Sequence, residues 1–437
     1  MSIDRRPWNP TRRVVVVDGV RTPFAKVGTA LAQVGAVELA RTAVRELLER
    51  TEVERSSIDE VILGNAAPPA DAPNIARVAA LEAGIPERVA AFSVARNCAS
   101  GFQAITDAYN QIVLGQSDVV VAGGVESMSN VPLHFPDEFA DVMTDLQRAR
   151  SIPGKVGAAA QLRPGHLKPV VALAEGLTDP VCGLNMGETA EVLAHELSIS
   201  RRAQDEYALR SHQRATAAWA DGRFADEVVP VFVPPAYEDV VAEDVGYRPG
   251  QSLEALAKLP PVFDRRDGSV TAGNSSMVTD GAAALLMMEE ERARALGYRP
   301  LGRVLAFAYA GLDPRRMGLG PAVATPLALA RAGMTLGDIE LIELNEAFAA
   351  VVLANMEVFP SPEWAETMLG RSEPIGEIRP EILNVNGGAI ALGHPIAATG
   401  ARLALTLLLE MGRRDMGVGL ATLCVGGGQG GAIVFGR

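Results

Sequence analysis

Short, uninterrupted apolar runs recur along this 437-residue chain, each followed by a segment of helical periodicity, and the plan is used twice. Val14–Asp18, Val61–Gly64 and Asp118–Gly124 read as strands within the first 130 residues. Between the first two, Val37–Arg50 reads as an amphipathic helix with Val37, Ala40, Val44, Leu47 and Leu48 on one face. Leu301–Ala310, Ile339–Leu344 and Gly417–Val425 read as strands again toward the end. A strand that is apolar throughout must be covered on both faces, so helices are expected on either side of the sheet. Residues 57–65 (SIDEVILGN) also echo residues 338–345 (DIELIELN), as duplication of an α/β unit would produce.

The texture changes between 131 and 275. Ile152–Gly165 and Val233–Tyr237 are rich in proline or glycine and read as surface loop. Two charged helices follow distinct start signals: Asn185, with Glu188 three residues on, and Ser200, opening a helix that runs to about Ala220. The expected organisation is a first half over 1–130, completed by 276–297, an inserted loop domain over 131–275, and a second half over 298–437.

Charge and cysteine content exclude several classes. Forty basic and fifty-three acidic residues give a net charge of −13, leaving no broad basic face for nucleic acid. Any anionic ligand must be met by backbone N–H groups, helix ends or a few arginines. Three cysteines, Cys98, Cys182 and Cys424, are too few for a disulfide framework. The N-terminal Arg5, Arg6, Arg12 and Arg13 precede only four valines, too short for a signal-peptide core. The uncharged run 382–401 has the length of a membrane span, but its asparagines, four glycines, His394 and Pro395 argue against one. A cytoplasmic, reducing location is expected. His134, His166, His195 and His212 are scattered without metal-ligand spacing, so no metal is expected.

Four segments carry candidate chemistry. In Arg96–Ile105, Cys98 precedes a helical pattern through Ala104, Ala108 and Ile112. A thiol there is either a small core residue or a nucleophile whose pKa is lowered by the helix N-terminus. In Asn384–Pro395, His394 stands before a proline that keeps it out of helical geometry. It is either a packed imidazole or a base and oxyanion donor. Cys424–Gly431 follows a strand with glycines that let backbone N–H groups approach a ligand, or simply make a turn. Asn345, at the head of Asn345–Phe348, either caps a helix or holds a water or carbonyl. All four lie at strand-to-helix junctions, where open α/β sheets place their sites.

Taken together, six motifs in order make the chain resemble the thiolase family along essentially its whole length. They are residues 98–101 (CASG), 123–129 (GGVESMS), 271–276 (TAGNSS), 345–348 (NEAF), 393–395 (GHP) and 424–430 (CVGGGQG). The resemblance implies the thiolase fold: two βαβαβαββ halves stacked as α-β-α-β-α layers, with a loop domain inserted in the first. It implies that Cys98 becomes acylated, that His394 activates it and donates to the thioester oxygen, and that Cys424 shuttles the proton at the acetyl carbon. Asn345 would fix a water in that oxyanion hole, and the N–H groups of Cys98 and Gly426 would form a second hole. Ser276, Arg248 and Met186 match coenzyme A contact positions, with Phe263 and Phe348 as packing or pocket residues. Coenzyme A is implied as a substrate, with no permanently bound cofactor.

Within the family, Glu126–Pro132, Asp205–His212, Asn274–Asp280, Leu319–Pro326 and Trp364–Arg371 look more like β-subunits of trifunctional fatty-acid oxidation complexes than like short-chain biosynthetic enzymes. The chain departs from the former at Asn345, where they commonly have histidine, and from the latter at Asn185, where a histidine usually faces the pantetheine. The implied activity is a degradative 3-ketoacyl-CoA thiolase, with a short-chain acetyl-CoA acetyltransferase as the alternative. A silent lipid carrier of the same fold would lack a reactive group, yet Cys98, His394 and Cys424 are all present. A ketoacyl synthase would place a second histidine where Cys424 stands. The family further implies a homodimer or homotetramer, with a hydratase/dehydrogenase α-subunit as a partner of the β-subunit type.

Overall fold

The computed structural model describes residues 11–437. Of the basic N-terminal stretch, Arg5 and Arg6 lie outside the described residues, whereas Arg12 pairs with Asp118 and Arg13 with Glu290.

The first half runs β1 (Val14–Arg21), α1 (Ala36–Thr51), β2 (Glu60–Gly64), α2 (Ile75–Glu82), β3 (Ala90–Val94), α3 (Ser100–Val113) and β4 (Val119–Glu126). A long insertion, which contributes α4 (Met186–Glu196) and α5 (Arg201–Ala220), precedes the closing strand β5 (Thr279–Glu289). The second half runs β6 (Gly302–Gly311), α6 (Gly320–Ala332), β7 (Leu341–Leu344), α7 (Ala349–Val358), α8 (Thr399–Arg414), β8 (Val418–Val425) and β9 (Gln429–Gly436).

Pairing exposes the duplication. The first half is ordered β3-β2-β4-β5-β1, with β2 parallel to β3 and β4, and β5 antiparallel to β4 and β1. The second half repeats this as β7-β8-β9-β6, with the same parallel and antiparallel steps. Its counterpart of β3 shrinks to a parallel bridge between Leu383 and Ile342. The two sheets join through two residue pairs, Val15 with Arg303 and Val16 with Gly302.

Alternation along β1 shows how the layers form. Val15 and Val17 face a core shared with Leu39, Leu47, Ile75 and Ala79 of the outer helices α1 and α2. Val14 and Val16 face a central core with Phe102 and Ile105 of α3, and with Leu403 and Leu407 of α8. That central core also takes Val120 from one sheet and Leu423 and Ile433 from the other. A third core packs β7, β8 and β9 against α6 and α7. The result is helix, sheet, helix, sheet, helix, the thiolase arrangement.

Within 131–275, Val131–Thr178 forms a compact unit of its own, while 179–275 belongs with the two halves. That unit holds helices Asp137–Arg148 and Ile152–Ala159 and a ladder between Leu133–His134 and Val170–Val171. The helix at Ile152–Ala159 differs from the loop expected there. Ser151 Oγ accepts the Gly154 N–H at 3.2 Å, and Pro153 sits in the first turn, where its missing N–H costs nothing. None of the described helices is long and apolar enough to cross a membrane.

Candidate active site

The candidate residues sit where strands end and helices begin. Cys98 lies two residues before α3, on a turn where Asn97 adopts a φ of 43°. Ser100 Oγ braces that turn, accepting the Arg96 N–H at 2.8 Å and donating to the Asn97 carbonyl at 2.7 Å. Asn97 Nδ2 in turn donates to the Gly426 carbonyl at 2.9 Å, tying the turn to the end of β8. Gly427 and Gly428 carry φ values of 89° and 76°, conformations open to glycine, and the hairpin they form brings Gly426 N–H to the Cys98 sulfur.

Both Gly426 N–H and Cys98's own N–H donate to that sulfur, and both favour the thiolate. Burial outweighs them and pushes the Cys98 thiol up from its ordinary value, with the nearby Glu126 charge adding to the rise. The expectation that the helix end lowers this pKa is therefore corrected: desolvation is the larger effect, and the resting thiol keeps its proton. Cys424, at the end of β8, is fully buried, and its thiol is driven up first by burial and then by the proximity of Cys98.

His394 approaches from the second half. Its N–H donates to the Met277 carbonyl at 2.9 Å, and its ring is held at both nitrogens. Nδ1 lies 2.5 Å from Thr399 Oγ1, and Nε2 lies 3.5 Å from Asn345 Nδ2. Asn345 Nδ2 can only donate, so the network assigns the proton to Nδ1 and makes the Nε2 lone pair the acceptor of the long Asn345 contact. Burial, helped by the Arg402 charge, lowers the imidazole to about 4, so it is neutral at pH 7. Asn345 is not a helix cap, because α7 starts four residues later. Its backbone N–H donates to the Thr422 carbonyl, two residues before Cys424, and its buried Oδ1 has no partner among the described residues. The structure thus joins Cys98, Gly426 and Cys424 in one cluster and His394 with Asn345 in another, the two linked through the end of β8.

The other expected positions fall into two groups. Met186 opens α4, and a Cβ on Gly426 would lie 3.2 Å from its sulfur. Phe263 packs on Gly187 and meets Phe348 edge to face, with centroids 6.1 Å apart. Ser276 is tied by its N–H to the Ala347 carbonyl at 2.9 Å, next to Phe348. Arg248 is exposed and makes no contact with the cysteine cluster among those described. Its N–H donates to Nδ1 of His212 at 3.3 Å, and the preceding Gly246 packs on Met277 and Ala391.

Sequence reasoning missed several members. Thr399 was hidden inside the helix after His394. Glu346 is buried and accepts from Tyr207 Oη, Ser211 Oγ, Asn384 Nδ2 and Ile390 N–H, so it fixes the chain leading into His394. His212, noted in the sequence only for lacking metal-ligand spacing, is buried and lowered to about 4, first by desolvation and then by Arg248. The signal for Glu126 was available: an ionisable residue ending the wholly apolar strand β4.

Residues 14–291 match the family described as Thiolase, N-terminal domain, and residues 298–437 match Thiolase, C-terminal domain. The chain belongs to the thiolase family. It is accordingly an acyltransferase. It is 46% identical to the 3-ketoacyl-CoA thiolase of Pseudoalteromonas translucida over 97% of this chain and 96% of that one. The 3-ketoacyl-CoA thiolase of Yersinia pestis matches with the same identity and coverage. Among solved structures, the Bacillus anthracis acetyl-CoA acetyltransferase superimposes with a TM-score of 0.85 and 40% identity, covering 98% of this chain and 100% of that one. Human mitochondrial 3-ketoacyl-CoA thiolase in complex with CoA gives a TM-score of 0.83 and 36% identity, covering 98% of both chains. The expected thiolase fold and family therefore hold across both halves.

Proposed function

We propose that this thiolase is a 3-ketoacyl-CoA thiolase that works through a Cys98 acyl-enzyme. The observation carrying this reading is the Cys98 sulfur, held between two N–H groups and next to the buried Cys424 thiol. A neutral imidazole with an unprotonated Nε2, held only by the long Asn345 contact, completes it. His394 Nε2 takes the Cys98 proton as the sulfur attacks the 3-keto carbon. The N–H groups of Cys98 and Gly426 receive the oxyanion, a contact of a kind worth roughly 3–4 kcal/mol per donor. The C2–C3 bond breaks, and acetyl-CoA leaves as an enolate that takes a proton from Cys424.

In the second half-reaction free CoA gives its thiol proton to Cys424 and attacks the acyl group. Cys98 leaves and recovers its proton from protonated His394. Asn345, with an unsatisfied Oδ1, suits the role of holding a water beside His394 at the thioester oxygen. From the part of the insertion that belongs with the two halves, Met186 and Phe263 would join Ser276 and Phe348 along the pantetheine, with Arg248 near the phosphates.

Mass spectrometry after mixing with acetyl-CoA tests the reading: the wild type gains an acetyl group and Cys98→Ala gains none. An acylated Cys98→Ala chain overturns the nucleophile assignment. Cys424→Ser should still acylate yet lose condensation, whereas equal loss of both steps contradicts the shuttle role. Arg248→Ala should raise KM for CoA with kcat little changed, because contacts remote from the chemistry bind substrate and transition state alike.

The similarity to an acetyl-CoA acetyltransferase favours a second reading, with acetoacetyl-CoA as the preferred substrate. A thiolysis profile over chain length separates the two, since only the first retains activity on long-chain 3-ketoacyl-CoA. Fatty-acid β-oxidation in the cytoplasm, as a homodimer or homotetramer and with a hydratase/dehydrogenase α-subunit as partner, is the setting that fits the first. Light scattering of the chain alone and with such a subunit checks the assembly.

A further inference from the structure

The segment bearing His394 is pinned on both flanks by buried carboxylates from different parts of the chain. Before it, Glu346 accepts the Ile390 N–H at 3.2 Å and holds Ser211, whose hydroxyl accepts the Gly388 N–H. After it, Glu126 reaches across from the first half. Its Oε2 accepts the N–H groups of Ala397 at 3.2 Å and Ala66 at 3.1 Å. Its Oε1 accepts the Ala67 N–H at 3.0 Å and Asn65 Nδ2 at 2.9 Å. Four donors on two oxygens fill a carboxylate's ordinary capacity.

Ala397 stands midway between His394 and Thr399, whose hydroxyl grips Nδ1. Asn65 and the two alanines follow β2, and Glu126 itself ends β4, so one side chain ties two strand ends of the first half to the turn 396–398 of the second. Glu126 also lies close enough to Cys98 for its charge to act on the thiol.

We propose that Glu126 is a positioning residue for thiolysis: its carboxylate fastens the 396–398 turn to the first half and so sets where His394 stands relative to Cys98. This rests on the roles proposed above for Cys98 and His394. Burial pushes the Glu126 carboxyl up to about 7 against the pull of its N–H donors, so the anion prevails at pH 8 and the neutral acid at pH 6. A protonated carboxyl gives up an acceptor site, and the turn then loses part of its anchor. The Glu126 charge acts on Cys98, whose thiol lies above the cysteine norm, while His394 lies at about 4. Glu343, paired with the Arg402 whose charge acts on His394, lies at about 8, so an inflection near pH 7 is assigned to Glu126 by its loss in Glu126→Gln.

The test is single-turnover acylation of the full-length enzyme by acetyl-CoA, from pH 5.5 to 9, for wild type, Glu126→Gln and Glu126→Asp. Wild-type acylation should fall as pH drops through about 7. Glu126→Gln should acylate about 10–100-fold more slowly at pH 8, as a displaced base does. It should lose the inflection near pH 7 and keep the acetyl-CoA concentration for half-maximal acylation rate within about twofold, because the change touches positioning rather than binding. Glu126→Asp, which keeps the charge but shortens the reach, should give an intermediate rate with the inflection retained.

Wild-type acylation rates in either variant, or a pH 7 inflection surviving in Glu126→Gln, overturn the proposal. Should Glu126→Gln fail to fold, Glu126→Asp decides by the same two readouts. An acylated Cys98→Ala enzyme would instead overturn the site reading, so the two failures are distinguishable.

Discussion

Burial leaves both the Cys98 thiol and the His394 imidazole neutral at rest, so the proposed chemistry needs the imidazole to take the thiol proton rather than a standing ion pair. The sulfur has two N–H donors, yet desolvation dominates and holds its pKa above the ordinary 9.0. The imidazole is lowered to about 4 for the same reason, since burial penalises the charged form of each group. The rate of Cys98 alkylation by iodoacetamide should therefore keep rising with pH past 9, because the thiolate fraction grows only as pH approaches a raised pKa. Rates followed for the wild type, with Cys98→Ala as the blank, check this. A plateau reached below pH 8.5 would contradict it. The residues themselves, Cys98, His394, Cys424 and Asn345, were legible in the sequence by their motifs. Their proton states were not, because burial depends on packing from segments more than two hundred positions away.

The central helices α3 and α8 approach each other so closely that side chains are excluded at the crossing. A Cβ on Gly101 would lie 2.7 Å from the Ala401 nitrogen and 2.8 Å from the Ala397 carbonyl oxygen. A Cβ on Gly400 would lie 2.5 Å from the Phe102 nitrogen. All three obstacles are backbone, so the helices must separate to admit a methyl group. Gly101→Ala should cost about 1–3 kcal/mol of stability and lower Tm by a few degrees, with slower acylation because Ala397 adjoins the His394 turn. Differential scanning calorimetry and the acylation assay check the two effects, and an unchanged Tm would refute the crossing. Strands and helices were legible because apolar runs and 3.6-residue periodicity are local. The third strand of the second half was not, since Leu383 is held by one bridge, and the helix at Ile152–Ala159 declared itself only through Ser151.

Duplication gives the molecule two equivalent halves, but the site draws unequal parts from them. On the proposed roles, Cys98 and Glu126 come from the first, and His394, Asn345 and Cys424 from the second, so the proposed catalysis depends on how rigidly the halves are joined. The sheet seam supplies only two residue pairs. A buried ion cluster adds a stronger tie that no motif announced: Arg21 at the end of β1 is fully buried and bridges the insertion. Its Nε donates to Glu227 at 2.6 Å, and its two terminal nitrogens donate to both oxygens of Asp244 at 2.7 and 2.8 Å. Phe24 and Phe224 cover the guanidinium, at 5.0 and 5.3 Å from the ring centroids. Glu227 also accepts from Thr406 on α8, which carries the link into the second half. Asp244→Ala leaves a buried guanidinium with half its counter-charge and should cost about 3–5 kcal/mol, the penalty of breaking a buried pair from one side. Arg21→Met with Asp244→Ala and Glu227→Gln should recover part of that loss, because no charged group of the cluster then remains buried without a partner. Urea unfolding of the three chains measures both quantities. A loss below about 1 kcal/mol for Asp244→Ala, the scale of an exposed pair, would show that the cluster does not hold the halves together.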